Sequence, residues 1–189
     1  MDGVLGVVAE VRKRSQVPIV LFGYYNPILS RGEARFAKEA ADAGADGVLV
    51  VDLPPSEAES FHREVVSAGL DYIPLAAPTT GDWRLELIGD LATSFIYYVS
   101  VTGVTGSAGV DMAAAAERAA HVRQRTGKPI AVGFGVRSAD DVARLSAHAE
   151  AVVVGTAVVA EVEGAKDPKA AVEAVALKVR SLAKGLVRS

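Results

Sequence analysis

Two glycine-bearing strings carry the clearest chemical content of the chain. Gly133-Phe134-Gly135 and Val152-Val153-Val154-Gly155-Thr156 each place glycine where an apolar, strand-like run stops. They lie about twenty residues apart, the length of one crossover from a strand through a helix to the next strand. Glycines leaving two successive parallel strands expose backbone N–H groups that can converge on an anion. Thr156 opens the next segment, where a hydroxyl and a helix N-terminus can both face a phosphate. Either string alone fits an ordinary tight turn. The pair, in this order near the C-terminus, reads as a phosphate cradle.

The other strand ends supply Tyr24, Tyr25 and Asn26, then Asp52, then Pro78 and Thr79, then Tyr97, Ser100, Thr102, Gly103, Thr105 and Gly106. That inventory holds one carboxylate, several phenols and hydroxyls, and no histidine. His62, His121 and His148 fall in or beside predicted helices and read as surface residues, because barrel chemistry sits on strand-to-helix loops. No His/Asp/Glu cluster has metal-ligand spacing. Lys128 precedes its strand, so no Schiff-base lysine stands on one. Trp83 is the single tryptophan and reads as a helix packing residue.

Strands and helices must position these groups, and the composition permits a packed domain. The 189 residues are 50% hydrophobic and 23% charged, enough for one domain with a substantial core. A net charge of −3 argues against nucleic acid or an anionic membrane as the main partner. The absence of cysteine excludes disulfides and thiolate metal sites. Apolar runs such as Val48–Val51 are far too short to span a bilayer. Met1-Asp2-Gly3 opens without the basic and apolar regions of a signal peptide, so a cytoplasmic location is expected.

Strand and helix alternate six times. The predicted strands are Val17–Tyr24, Gly47–Val51, Tyr72–Ala76, Phe95–Val101, Pro129–Val132 and Ala151–Val154. The predicted helices are Val4–Arg14, Gly32–Ala43, Ser56–Ala68, Asp82–Ala92, Met112–Thr126, Ser138–Ser146, Ala157–Val162 and Pro168–Leu186. Ser56 and Asp82 are expected as N-caps, and Gly44, Gly69 and Gly127 as stops. The strands are near-continuous Val/Ile/Leu runs, as parallel strands covered on both faces should be. No Gly-x-Gly-x-x-Gly follows the first strand, which disfavours a Rossmann sheet. Glycines after the last two strands favour a (β/α)₈ TIM barrel. Such a barrel needs eight strands and about 250 residues, so six units read as a barrel that begins two units late, in one partial domain over 1–189.

At this point the residues carry a resemblance. Leu21-Phe22-Gly23-Tyr24-Tyr25-Asn26-Pro27-Ile28, Val51-Asp52-Leu53-Pro54-Pro55-Ser56-Glu57 and Tyr97-Tyr98-Val99-Ser100-Val101-Thr102-Gly103-Val104-Thr105-Gly106 resemble the tryptophan synthase α subunit. Gly133-Phe134-Gly135-Val136 and Val154-Gly155-Thr156-Ala157 match it in the same order. The resemblance covers essentially the whole chain, and its tyrosine-to-Val-Thr-Gly string is the most specific part. It implies a (β/α)₈ barrel that cleaves indole-3-glycerol phosphate to indole and glyceraldehyde 3-phosphate in tryptophan biosynthesis. It also implies no cofactor of its own. The partner in an α2β2 complex, a pyridoxal-phosphate-dependent β subunit, receives the indole.

Carried over residue by residue, Tyr97 resembles the family's active-site tyrosine, and Thr105 and Gly106 the start of its mobile loop. Phe134, Gly135, Gly155 and Thr156 match the two phosphate loops, with threonine where serine is common. Tyr24 and Asn26 match the region near the indole pocket and the β-subunit contact, and Asp52 matches the aspartate after the fourth barrel strand. Asp52 can equally be a capping or turn residue before Pro54-Pro55. The family's catalytic glutamate and aspartate lie upstream of Met1, on the two βα units that have no counterpart here. Two functions therefore remain open: the lyase chain itself, expected to be inactive as given, or a non-catalytic phosphate-binding module that regulates a partner. A sugar-phosphate epimerase would need strand-end acids or lysines that are not found.

Overall fold

A computed structural model of the chain describes residues 1–99, 112–133 and 135–186. In chain order its elements are α1 (Asp2–Arg12), β1 (Val20–Gly23), α2 (Tyr25–Arg31), α3 (Glu33–Ala43), β2 (Gly47–Val50) and a 3₁₀ turn (Pro55–Glu57). These are followed by α4 (Glu59–Ser67), β3 (Asp71–Tyr72), β4 (Leu75–Ala76), α5 (Asp82–Leu91) and β5 (Ile96–Val99). The last are α6 (Met112–Thr126), β6 (Ile130–Gly133), α7 (Ala139–Ser146), β7 (Ala151–Val153), α8 (Thr156–Glu163) and α9 (Pro168–Ala183). The fold is α/β, and its contacts divide it into two units: Met1–Leu75 with Gly81–Ile96, and Ala76–Thr80 with Tyr97–Ser189.

The first unit is built on a sheet in the order β1-β2-β3, with both pairings parallel. Every residue of β2 is buried, which accounts for its unbroken Gly-Val-Leu-Val run. Behind the sheet, Phe61 gathers the rings of Tyr25, Phe36 and Tyr72 at centroid distances of 5.9, 6.1 and 6.1 Å. Edge and tilted contacts of this kind add specificity to the area buried. The second unit carries the sheet β4-β5-β6-β7, with β6 and β7 parallel. Its core includes Tyr98, Val122, Ile130, Val132 and Leu145. Gly185 brings the end of α9 against the Ala139 carbonyl of α7, where a Cβ would overlap the backbone.

The predicted strand Tyr72–Ala76 is not one strand. β3 pairs with β2, whereas β4 belongs to the other sheet. Pro74 stands at the break, and with no N–H it cannot extend the ladder that ends at Ile73 N–H to Val48 O, 2.9 Å. A helix is added at α2, where Tyr25-Asn26-Pro27 reads in sequence as strand exit; a proline in the first turn needs no intrahelical donor. Ser56 does not cap a helix: it lies in the 3₁₀ turn, and Ala58 precedes α4. Asp82 is the first residue of α5 rather than its cap, which is Gly81. Trp83 is 61% exposed, with the Arg84 guanidinium 5.1 Å from its ring, so it is not a packing residue. His62 is not on the surface either, since it is half-buried with its ring edge-on to Tyr72. The stops Gly44, Gly69 and Gly127 all take positive φ, as left-handed helix ends require.

Arg12 ties α1 to the end of α3. Its guanidinium donates to Gly44 O at 2.9 and 2.6 Å, to Val17 O at 3.0 Å and to Asp46 Oδ2 at 2.6 Å. The orphan carbonyl at the α3 terminus is thereby satisfied by a cation, which the helix dipole also favours. Arg12→Ala should lower unfolding free energy by about 2–3 kcal/mol, because several charge-assisted bonds are lost together. The urea midpoint checks this, and an unchanged midpoint contradicts it. Asp46 is held below the usual carboxylate range, chiefly by the Ile19 N–H and then by Arg12. A lowered carboxylate pKa stabilises the fold above the unfolded value of about 4 and loses that contribution as pH falls through the folded value. The Arg12→Ala deficit should therefore shrink in acid below that point.

Candidate functional site

In the first unit, β1 and β2 run parallel with Gly23 opposite Val50, so Tyr24 and Asp52 leave the same end of the sheet. Tyr24 is 67% exposed, and Asn26 and Asp52 are also exposed. α2 has no side-chain cap from its own N-cap residue, Tyr24. Asp52 supplies one from the neighbouring strand end, its Oδ1 accepting the Tyr25 N–H at 2.8 Å. A carboxylate at a helix N-terminus is favoured by both the hydrogen bond and the dipole. The capping alternative for Asp52 is thus real, though the helix it caps is one strand away rather than adjacent in sequence.

In the second unit, Gly133 pairs with Val153 across β6 and β7. Gly135 and Gly155 each lie two residues past that pair, so both glycine exits leave the same end of the sheet. The three glycines have different reasons to be glycine. Gly133 is buried, and a Cβ there would overlap the phenol of Tyr97 on β5. It is therefore a strand residue packed under a ring and not part of an open amide loop, as the string alone suggests. Gly135 has φ +34, a conformation that side chains disfavour. Gly155 has φ −109, and a Cβ added there would meet no atom of the described residues within 4 Å, so nothing among them requires glycine at this position.

The helices after these exits also differ. α7 is closed by a capping box: Ser138 accepts from the Asp141 N–H, and Asp141 Oδ2 accepts from the Ser138 and Arg137 N–H groups at 2.9 and 3.0 Å. Those bonds, the Arg137 one foremost, hold the Asp141 carboxyl below its ordinary range. α9 is capped by Asp167, whose carboxylate accepts the Ala170 N–H. α8 begins at exposed Gly155 and Thr156, and among the described residues no side chain caps it. An anion can serve there where α7 and α9 already use their own residues. Tyr97 is half-buried, and burial pushes its phenol up, so it is a neutral hydroxyl at physiological pH.

Thr105, Gly106 and Phe134 lie outside the described residues. Among the described residues, no group of three His, Asp or Glu side chains could hold a metal ion, and no helix is long and apolar enough to cross a membrane.

The sequence profile of the tryptophan synthase alpha chain family matches residues 1–187. The chain belongs to that family. The tryptophan synthase alpha chain of Phenylobacterium zucineum is 44% identical over 98% of this chain and 68% of its own length. That of Dechloromonas aromatica is 45% identical over 85% of this chain and 60% of its own. The chain thus spans about two thirds of the length of the curated relatives it matches. Among solved structures, the tryptophan synthase alpha subunit of Legionella pneumophila superposes with a TM-score of 0.88 at 32% identity, covering 98% of this chain and 69% of that one. A tryptophan synthase complex from Pyrococcus furiosus gives a TM-score of 0.84 at 35% identity, covering 97% and 73%.

Membership in the tryptophan synthase alpha family makes two features of the geometry informative that the sequence alone passed over. One is the Tyr97–Gly133 contact, signalled only by a glycine one strand away from a tyrosine. The other is Tyr25, which a strand-end reading treats as a spare phenol.

Proposed function

We propose that the chain carries the phosphate-holding and indole-side part of the tryptophan synthase alpha reaction, the cleavage of indole-3-glycerol phosphate to indole and glyceraldehyde 3-phosphate. Its strands, with β3 and β4 counted as one, then correspond to the last six of a (β/α)₈ barrel, and the family's catalytic glutamate and aspartate belong to the two units before them. The partner is the beta chain of a complex like the α2β2 assembly of Pyrococcus furiosus. Pyridoxal phosphate is the partner's cofactor, and this chain needs none. The place of such a biosynthetic step is the cytoplasm.

The uncapped start of α8, beside the in-register exits Gly135 and Gly155, carries this reading. A phosphate there takes backbone N–H groups, the helix dipole and the Thr156 hydroxyl together. Tyr97, kept protonated, can donate a neutral hydrogen bond to substrate. The resemblance of their strings to the family's loops supports adding Thr105, Gly106 and Phe134 to this site.

Gly155→Ala separates ligand from fold. The methyl meets no atom of the described residues within 4 Å, so unfolding free energy should change by no more than about 0.5 kcal/mol. Affinity for inorganic phosphate and glyceraldehyde 3-phosphate, measured by calorimetry, should fall about tenfold or more as amide approach is blocked. Equal affinity in variant and parent would place the phosphate elsewhere.

The second reading, a phosphate-binding module without lyase activity, is favoured by one observation. Asp52 is the one strand-end carboxylate among the described residues, and it is engaged with the Tyr25 N–H.

A further inference from the structure

Tyr25 sits between two exposed residues, Tyr24 and Asn26, yet it is itself anchored from three directions. Its N–H is held by Asp52. Its hydroxyl donates to Glu33 Oε1 at 2.5 Å, and Ser60 Oγ donates to the other oxygen, Oε2, at 2.8 Å. Its ring packs edge-on against Phe61. The phenol is pushed up to about 12, first by the Glu33 bond and then by burial, so the donor is retained at any physiological pH.

Four elements meet in this arrangement: α2 through Tyr25, the β2 exit through Asp52, α3 through Glu33 and α4 through Ser60 and Phe61. α2 has only Ile28 fully buried, so its placement depends on these bonds more than on its own packing. A seven-residue helix has little stability of its own in water. The surface it presents, a phenol and a carboxamide beside the Asp52 carboxylate, suits a partner face of hydrogen-bonding groups with a cation opposite the acid.

Resting on the reading of Tyr24, Asn26 and Asp52 as partner contacts, we infer that Tyr25 is a positioning residue, braced by Glu33 and Ser60, that holds those three in one fixed arrangement for the beta chain. A surface ordered beforehand does not have to be ordered on binding, which is where the affinity comes from.

The test is a double-mutant cycle on Tyr25→Phe and Glu33→Ala, read by calorimetric affinity for the beta chain of a tryptophan synthase complex. Each single variant should weaken binding about tenfold, the loss of one charge-assisted hydrogen bond. The double variant should be no worse than either single one, since both break the same bond. Glu33→Gln, which keeps an acceptor for the phenol, should restore most of the affinity. It should also bring one tyrosine titration down from about 12, which a packing change alone does not do. Ser60→Ala removes an exposed brace and should show a smaller loss in a variant certain to fold. Phosphate affinity, set in the other unit, should stay unchanged throughout. Parent-like beta-chain affinity in Tyr25→Phe and Glu33→Ala overturns the positioning role and leaves the proposed function standing. A parent that binds phosphate but no beta chain overturns the partner reading and this inference with it.

Discussion

A polypeptide of these 189 residues should release indole from indole-3-glycerol phosphate about 10²–10⁴-fold more slowly than the same residues preceded by the first two βα units of an alpha chain such as that of Phenylobacterium zucineum. Cleavage needs a proton delivered to the indole ring carbon and another removed from the glycerol hydroxyl. That work falls to a positioned acid–base pair, and help of this kind accounts for the stated factor. The carboxylate at the β2 exit and the one that opens α3 are already engaged. Asp52 accepts the Tyr25 N–H, and Glu33 is shared between Tyr25 and Ser60. Tyr97 has its phenol pushed up by burial, which keeps it protonated and unable to accept the proton. In the proposed site these residues supply orientation through the phosphate, and orientation without proton transfer leaves the chemical step slow. The two polypeptides are compared with a beta chain present in both assays. Similar turnover would place the acid–base groups within these 189 residues and would also remove the ground for the module reading.

Much of this was legible because parallel strands buried on both faces announce themselves as unbroken apolar runs. Val48-Leu49-Val50 and Ile130-Ala131-Val132 are buried throughout. Helix ends at Gly44, Gly69 and Gly127 were legible for a different reason, since left-handed backbone there selects glycine. Local rules failed where a long-range partner took over a local role. Tyr24 needs no cap of its own kind because Asp52, 27 positions from Tyr25, provides one. The run Tyr72–Ala76 looks continuous because apolar content does not show which neighbour each half will pair with. Gly133 carries the same ambiguity: the string Gly-Phe-Gly marks a loop, but only the ring of Tyr97 explains its first glycine. The candidate site was legible in residue types and order, and illegible in its braces, because Glu33 and Ser60 have no motif.

The same polypeptide should self-associate or melt early. β1 stands at the end of its sheet among the described residues, with Phe22 61% and Val20 37% exposed. On the same unit α1 leaves Val4, Val7 and Val11 exposed. In the other unit β7 is the end strand among the described residues, α8 has no fully buried residue, and Val159, Val162, Val172 and Leu177 face solvent. Apolar strand edges template pairing with another chain, and contiguous apolar patches mark association sites. A closed barrel has no such edges, so on the proposed six-unit correspondence fusion of two further βα units should suppress the effect. Size-exclusion chromatography with light scattering should find species larger than the 19.6 kDa monomer. Val20→Lys, a charge on the same strand, should shift the population toward monomer. A monodisperse monomer with a cooperative transition above ~60 °C, near the top of the mesophile range, would show that the two units satisfy their own edges. The six-unit assignment would then need another explanation for the apolar faces of α1, α8 and α9.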